Sequence, residues 1–337
     1  MDLRAWLAAE DPAPLVIATS GSTGAPKRVV LRREAVVASA RASAQRLGAT
    51  GPWVQRLPEG YVAGVQVAVR SLLAGRAPLT DWPEPDTGPW FTSLVPTQLH
   101  RVLTAAPDDR AAAVDRAALA RAHTVLLGGG PIDPALRARA EAEGIRVVAT
   151  YGAAETAGGC VYDGVPLAGV EVRLGERGRI ELRGPVLAEG YEDDPGLTAA
   201  HFVDGWFLTS DAGELTTTAE GGVTLRVLGR LDDVVVSGGL NVPGPAVAAR
   251  LRAHPGVAAA EVLGAPDEEW GQRLVAFVVP VDSPPSSTEL RDWVAAVHPR
   301  AWAPRQVVVL PDLPLLANGK PDRRALLAAV GAEDPRG

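Results

Sequence analysis

The sequence predicts an α/β fold: a large layered α/β N-terminal domain containing a β subdomain, plus a small α+β C-terminal domain. Three features of the 337 residues predict it. The first two-thirds alternates apolar strand-like runs with helical patterns, which is how a layered α/β domain is written. From about Val170 the pattern shortens to brief strands separated by turn residues. A break at Gly229-Arg230-Leu231-Asp232-Asp233 then precedes a second compact set of strands and helices. The expected domains are 1–230 and 231–337.

The elements follow in order. Leu15–Thr19 reads as a strand and runs into a glycine-rich loop. Glu34–Leu47 and Val65–Leu73 carry helical patterns. Phe91–Val95 reads as a strand, with a helix from about Pro96, since proline suits the first helical turn. His123–Leu127 and Ile145–Thr150 read as strands around a helix at Pro134–Glu143. The β subdomain comprises Val170–Leu174, Gly178–Arg183, Trp206–Thr209 and Val223–Leu228. The C-terminal set comprises strands Val234–Val236, Val257–Leu263, Leu274–Val279 and Gln306–Leu310. Its helices lie around Pro245–Ala253, near Glu289–Val297 and after Asp322. Pro280–Ser287 reads as a loop inside that set.

A hydrophobic fraction of 47% and a charged fraction of 22% suit a soluble globular chain. The formal net charge of −7 excludes a general nucleic-acid or acidic-membrane binder, so anionic ligands must be met by local positive sites. Cys160 is the sole cysteine, which fits a reducing cytoplasm. The N-terminus shows no basic-then-apolar signal pattern, and no apolar run approaches the ~18 residues of a membrane span. The expectation is a cytoplasmic protein with no membrane insertion, and a homodimer is left open.

Of the 33 lysine and arginine residues, only Lys27 and Lys320 are lysines. Lysine is a compact point charge where arginine is a planar fork, so two lysines in glycine-containing motifs read as phosphate- and carboxylate-handling groups. Lys27 closes Thr19-Ser20-Gly21-Ser22-Thr23-Gly24-Ala25-Pro26-Lys27. Such a loop after a strand offers backbone N–H groups, hydroxyls and an ammonium to phosphate oxygens. It departs from the P-loop pattern, because Pro26 precedes the lysine and Arg28 follows it.

The complete string resembles the phosphate loop of the adenylate-forming (ANL) superfamily: acyl-CoA ligases, peptide-synthetase adenylation domains and firefly-type luciferases. Further segments resemble that superfamily in order along the chain. Gly128-Gly129-Gly130-Pro131 resembles its adenine-side turn. Tyr151-Gly152-Ala153-Ala154-Glu155-Thr156 resembles the segment whose glutamate helps hold Mg²⁺ on the ATP phosphates. Gly205-Trp206-Phe207-Leu208-Thr209-Ser210-Asp211 resembles the segment whose aspartate binds both ribose hydroxyls. Arg230 and Asp232 match the interdomain hinge, where the arginine also contacts ribose. Ser237-Gly238-Gly239-Leu240-Asn241-Val242 resembles the loop lining the pantetheine tunnel, and Asn318-Gly319-Lys320 the adenylation lysine. Taken singly, Glu155 also reads as a surface carboxylate, Asp211 as a turn residue and Arg230 as half of a surface ion pair.

The resemblance implies an acid–thiol ligase with Lys320, Lys27 and Glu155 catalytic and Glu155 on Mg²⁺. ATP would meet Thr19, Ser20, Gly21, Ser22, Thr23, Gly24, Gly129, Gly130, Pro131, Tyr151, Gly152, Asp211 and Arg230. CoA would meet Gly238 and Gly239. ATP, Mg²⁺, CoA and a carboxylic acid are the expected small molecules, with no tightly bound organic cofactor. Two distant lysines in one reaction imply that the small C-terminal domain is mobile, with Asp232 as its hinge. Three departures stand out. Most relatives carry a long segment before the phosphate loop, so the N-terminal domain is expected to be truncated. Ala154 replaces the usual hydroxyl residue, removing one possible phosphate hydrogen bond worth ~0.5–1.5 kcal/mol net. Ser210 replaces a glycine, a strained choice if the position needs positive φ.

Two segments narrow the acid by resemblance. Leu57–Val67 with Arg70–Gly75, and Gly158–Pro166, are similar to the short o-succinylbenzoate–CoA ligases of menaquinone biosynthesis. The implied acyl pocket contains Tyr61, Gly64, Arg70, Gly158 and Gly159, with Arg70 the candidate cation for a second carboxylate. Another acyl-CoA ligase, a carrier-protein-loading adenylation enzyme and a non-catalytic nucleotide-binding homologue remain as rival readings.

Overall fold

The computed structural model describes residues 2–19, 27–106, 108–217, 222–314 and 321–332. The chain divides into two compact units. One comprises Met1–Arg173, Glu181–Thr209 and Leu215–Leu225; the other comprises Leu174–Ile180, Ser210–Glu214 and Arg226–Gly337.

The first unit is built on a six-stranded sheet ordered Trp53–Val54, Phe91–Leu94, Thr124–Leu127, Val147–Ala153, Gly158–Tyr162 and Val165–Pro166. The first four strands run parallel and the last two pair antiparallel. Phe91–Leu94 and Thr124–Leu127 are buried at every position, the signature of strands covered on both faces. Leu99 and Leu103 on the helix Pro96–Thr104 and Leu119 on the helix Arg110–Arg121 pack with Val125, Leu127 and Val147 into one core. Helix Pro134–Ala142 starts as its sequence dictates, with Asp133 capping the Ala135 N–H at 2.8 Å and Pro134 at the first helical position. A second core joins Ile17, Val29, Leu31, Val36, Val65 and Val69 with Tyr191.

Most expected elements stand within a few residues of their predicted places. Arg110–Arg121, absent from the expectation, is a helix rich in alanine and arginine whose apolar periodicity is weak; Asp109 caps it through the Ala112 N–H at 3.0 Å. The strand expected at Trp206–Thr209 continues to Thr217. It lies in a five-stranded sheet with Glu171–Leu174, Arg179–Arg183, Phe202–Val203 and Val223–Arg230.

The second unit contains a sheet ordered Leu240–Pro243, Val234–Ser237, Gly271–Pro280 and Val257–Asp267, with Gln306–Val309 parallel to Gly271–Pro280. Helices Gly244–Arg252 and Ser287–Ala295 bury Val247, Leu251, Leu290 and Val294 in its core. Leu326 of helix Arg323–Ala332 packs with Val275, Phe277 and Val308.

Gly64 shows how closely the first unit is packed. A Cβ there would stand 2.1 Å from the Pro58 carbonyl oxygen. Alanine normally gains ~0.5–1 kcal/mol over glycine inside a helix, but a clash with main chain costs ~1–3 kcal/mol, so the clash wins. Gly64→Ala is expected to lower the thermal unfolding midpoint. Gly60→Ala, where nothing lies within 4 Å, is expected to leave it nearly unchanged.

Candidate active site

Strands Leu15–Thr19 and Lys27–Leu31 pair antiparallel with Thr19 opposite Lys27, so the hairpin closes the phosphate-loop motif at its base. The Thr19 hydroxyl donates to the Lys27 carbonyl at 3.4 Å. Ser20, Gly21, Ser22, Thr23 and Gly24 lie outside the described residues. The short strand Gly190–Tyr191 adds to Lys27–Leu31. The Lys27 ammonium lies 5.3 Å from the Tyr191 ring centroid, within cation–π range. The Tyr191 hydroxyl donates to Glu155 Oε1 at 2.8 Å. Burial, reinforced by the Glu155 carboxylate, pushes the Tyr191 pKa upward, so the phenol keeps its proton and stays a donor.

Sequence reasoning missed Tyr191. Its only signal is the dipeptide Gly190-Tyr191, where a Cβ at Gly190 would lie 2.4 Å from the Thr198 methyl carbon. Glycine is thus required before Tyr191, whose ring lies in the core and whose hydroxyl meets Glu155.

Glu155 is itself buried and sits in the single turn Ala154–Thr156. Thr156 holds that turn: its hydroxyl accepts from the Ala153 N–H at 2.9 Å and makes a 2.7 Å bond to the Gly158 carbonyl. The same segment therefore sends Glu155 to the Tyr191 hydroxyl and sends Gly152 and Ala153 to a neighbouring cavity.

That cavity, of ≈ 140 Å³, is lined by Gln66, Arg70, Gly129, Gly152, Gly158 and Gly159 among others, with Leu57, Leu94 and Val95 as apolar wall. Arg70 is only 8% exposed. Its guanidinium lies 4.9 Å from the Trp53 ring centroid, and one terminal nitrogen donates to the Tyr162 hydroxyl at 3.2 Å. Tyr162 in turn lies 2.8 Å from the Ser43 hydroxyl. Arg70 Nε and Gln66 Oε1 are buried without a hydrogen-bond partner among the described residues. Gly158 has φ +100°, and a Cβ at Gly159 would meet Thr150 Cβ at 3.0 Å, so backbone conformation favours glycine at the first position and packing at the second. Tyr61 and Gly64 do not line this cavity: Tyr61 is 54% exposed, and Gly64 faces Pro58.

Gly129, Gly130 and Pro131 form an exposed turn after strand Thr124–Leu127, with Gly129 at φ +79°. Tyr151 sits in strand Val147–Ala153 opposite Val161.

In the second unit, Arg230 lies 3.8 Å from Asp211. Asp232 is in the turn Leu231–Asp233, and its neighbour Asp233 pairs with Arg323. Gly238 has φ +57°, and its missing Cβ makes room for the Trp270 ring, which would stand 2.5 Å away; Gly239 has φ +79° and open space. Lys320 lies outside the described residues. Ser210 lies inside strand Trp206–Thr217 and is not among the positive-φ residues, so the strain that serine would suffer there does not arise.

The site suits Mg²⁺ delivered with a nucleotide. Mg²⁺ is usually held by one or two carboxylates plus substrate phosphates and keeps several waters. Glu155 offers one buried carboxylate of that kind.

The family of AMP-binding enzymes matches residues 3–192, and its C-terminal domain matches residues 246–320. The chain belongs to the AMP-binding enzyme family. It is 41% identical over 347 residues to a probable 2-succinylbenzoate–CoA ligase of Mycobacterium tuberculosis, covering 98% of this chain and 88% of that protein. A 2-succinylbenzoate–CoA ligase of Listeria monocytogenes is 32% identical, covering 92% and 69%. The fold is similar to the o-succinylbenzoate CoA synthetase of Bacillus subtilis, solved with its acyl-adenylate intermediate. There the TM-score is 0.72 at 28% identity, over 95% of this chain and 69% of that one. The expected superfamily and the α/β class with a small C-terminal domain are thereby borne out.

Cys160 lies fully buried in strand Gly158–Tyr162, beside the cavity-lining glycines. Burial pushes its thiol up to about 12, against a smaller opposing effect of the Thr156 hydrogen bond. The thiolate is the reactive form, so the native protein is expected to resist iodoacetamide at pH 8 and to label fully once unfolded. Mass spectrometry of the two samples checks this.

Proposed function

We propose that this chain is an ATP-dependent acid–thiol ligase whose acid is o-succinylbenzoate, forming o-succinylbenzoyl-CoA for menaquinone biosynthesis. A substrate carboxylate attacks the α-phosphorus of ATP and expels pyrophosphate. The CoA thiolate then attacks the acyl carbon of the adenylate and expels AMP. The observation that carries the choice of acid is Arg70. A buried cation with an unsatisfied Nε, beside a largely apolar cavity, is costly unless a carboxylate meets it. A dicarboxylic aromatic acid supplies that second carboxylate while its ring occupies the apolar wall. The names of the relatives point to the same acid.

The remaining assignments follow from that chemistry. Lys27 and the donors of the Thr19–Gly24 loop would stabilise charge on the pyrophosphate side, and Glu155 would hold Mg²⁺. Gly129, Gly130, Pro131, Tyr151 and Gly152 would surround the adenine and phosphates, and Asp211 with Arg230 the ribose. Bound Mg²⁺ would neutralise phosphate charge. Gly238 and Gly239 would flank pantetheine. ATP and CoA are cytoplasmic metabolites, which supports a cytoplasmic setting. This is catalysis by positioning and electrostatics rather than by a covalent enzyme intermediate.

In a panel of acids assayed for CoA-dependent AMP release, o-succinylbenzoate is expected to be used far better than benzoate, a fatty acid or an amino acid. Arg70→Leu is expected to erase most of the margin over benzoate by raising KM for the dicarboxylate. Equal use of a fatty acid by the native chain contradicts the assignment.

We also propose that residues 231–337 reorient about Asp232 between the two half-reactions, with Lys320 serving only adenylation. Lys320→Ala is expected to slow adenylation ~10²–10³-fold, the size of losing a preorganised charge partner, and to spare thioester formation from supplied acyl-adenylate. Single-turnover kinetics of each half-reaction decide this, and an equal fall in both contradicts it.

A further inference from the structure

We propose that Tyr191 is a positioning residue for the nucleotide site, orienting the Glu155 carboxylate through its hydroxyl and carrying Lys27 on its ring face. The inference rests on the reading of Glu155 as the Mg²⁺-bearing carboxylate.

Three observations meet on this one side chain. Its hydroxyl donates to Glu155 Oε1 at 2.8 Å. Its ring lies 5.3 Å from the Lys27 ammonium. Its backbone N–H donates to the Thr198 hydroxyl at 2.9 Å, while Phe202 packs edge-on against the ring at 5.9 Å. The phenol is therefore fixed from both sides, and it is 6% exposed. Glu155 lies 36 residues before it in the chain, and the Glu155 carbonyl accepts from the Ala188 N–H at 2.8 Å. Main chain and side chain thus tie the Ala154–Thr156 turn to the segment preceding Tyr191.

The physical consequence is a division of labour on one carboxylate. The phenol O–H takes up one lone-pair direction of Oε1 and restricts the rotation of the carboxylate group. A metal ion approaching this carboxylate meets ligand oxygens whose direction is already set, the role that outer partners play around metal-binding carboxylates. A buried Glu155 without that donor would also be a partly unsatisfied charge, its carboxylate no longer held in one orientation. The ring matters separately. Its negative face attracts the ammonium, which holds Lys27 against Tyr191. A tyrosine is the side chain that does both: phenylalanine keeps only the ring, and an aliphatic residue keeps neither.

The test measures ATP affinity by isothermal titration calorimetry across a Mg²⁺ series, comparing the native chain with Tyr191→Phe, Tyr191→Leu and Glu155→Gln. Tyr191→Phe is expected to raise the Mg²⁺ concentration needed for half-maximal tightening about tenfold, as for loss of a hydrogen bond to a charged group. Its ATP affinity in EDTA should stay unchanged, because the ring still carries Lys27. Tyr191→Leu is expected to weaken ATP binding in EDTA as well. Thermal unfolding of each variant without ligand reports on folding; Tyr191→Phe, which preserves the ring, is the deciding variant. If Glu155→Gln shifts the Mg²⁺ requirement and Tyr191→Phe does not, the inference is overturned while the Mg²⁺ reading stands. If Glu155→Gln does not shift it either, the reading of Glu155 fails and takes the inference with it.

Discussion

The candidate site in the first unit hangs on one close approach of main chain. Strand Val147–Ala153 and strand Gly158–Tyr162 come so near at their turn that a Cβ on Gly152 would lie 2.2 Å from the Gly158 carbonyl oxygen. The register slips between Tyr151 and Gly152, and Ala157 takes a left-handed conformation at φ 48° to complete the reversal. The Thr156 hydroxyl closes the turn from inside. A local irregularity of this kind re-aims side chains at a sheet edge. Here it sends Glu155 into the core beside Tyr191 and leaves the glycines to wall the cavity. The turn itself does not depend on a hydroxyl at residue 154, because Thr156 holds it.

In a chain of net charge −7, a local positive site has to stand out against the whole, and two cations of the first unit are held in distinctive settings. Lys27 is held on an aromatic ring, and Arg70 is buried beside Trp53. Neither has an ion-pair partner among the described residues that would have to be broken before a ligand binds. In a low-dielectric setting such charges act more strongly than the same groups on the surface. Arginine suits the buried place because its guanidinium is more weakly hydrated than an ammonium and stacks on rings.

Glycines that invite a functional reading often answer to packing first. Gly64 is required by Pro58, Gly238 by Trp270 and its positive φ, and Gly128 by the Thr150 side chain. Gly239 and Gly130 meet nothing within 4 Å, so their lack of a side chain owes nothing to packing.

Local chemistry was enough to read much of this chain. Strand Leu15–Thr19, helix Pro134–Ala142 with its aspartate cap, and the ordered motifs from Thr19 to Lys320 are legible because periodicity, capping and motif identity are properties of neighbouring residues. The helix Arg110–Arg121 was not, because its alanine and arginine residues give little contrast between a buried and an exposed face. Tertiary structure alone decided that Tyr191 meets Glu155 and Lys27, that Arg70 is buried against Trp53 and Tyr162, and that Tyr61 and Gly64 stand apart from the cavity. These are meetings of side chains far apart in sequence, brought together only when sheet and helices close on a common core. No local pattern encodes such a distance.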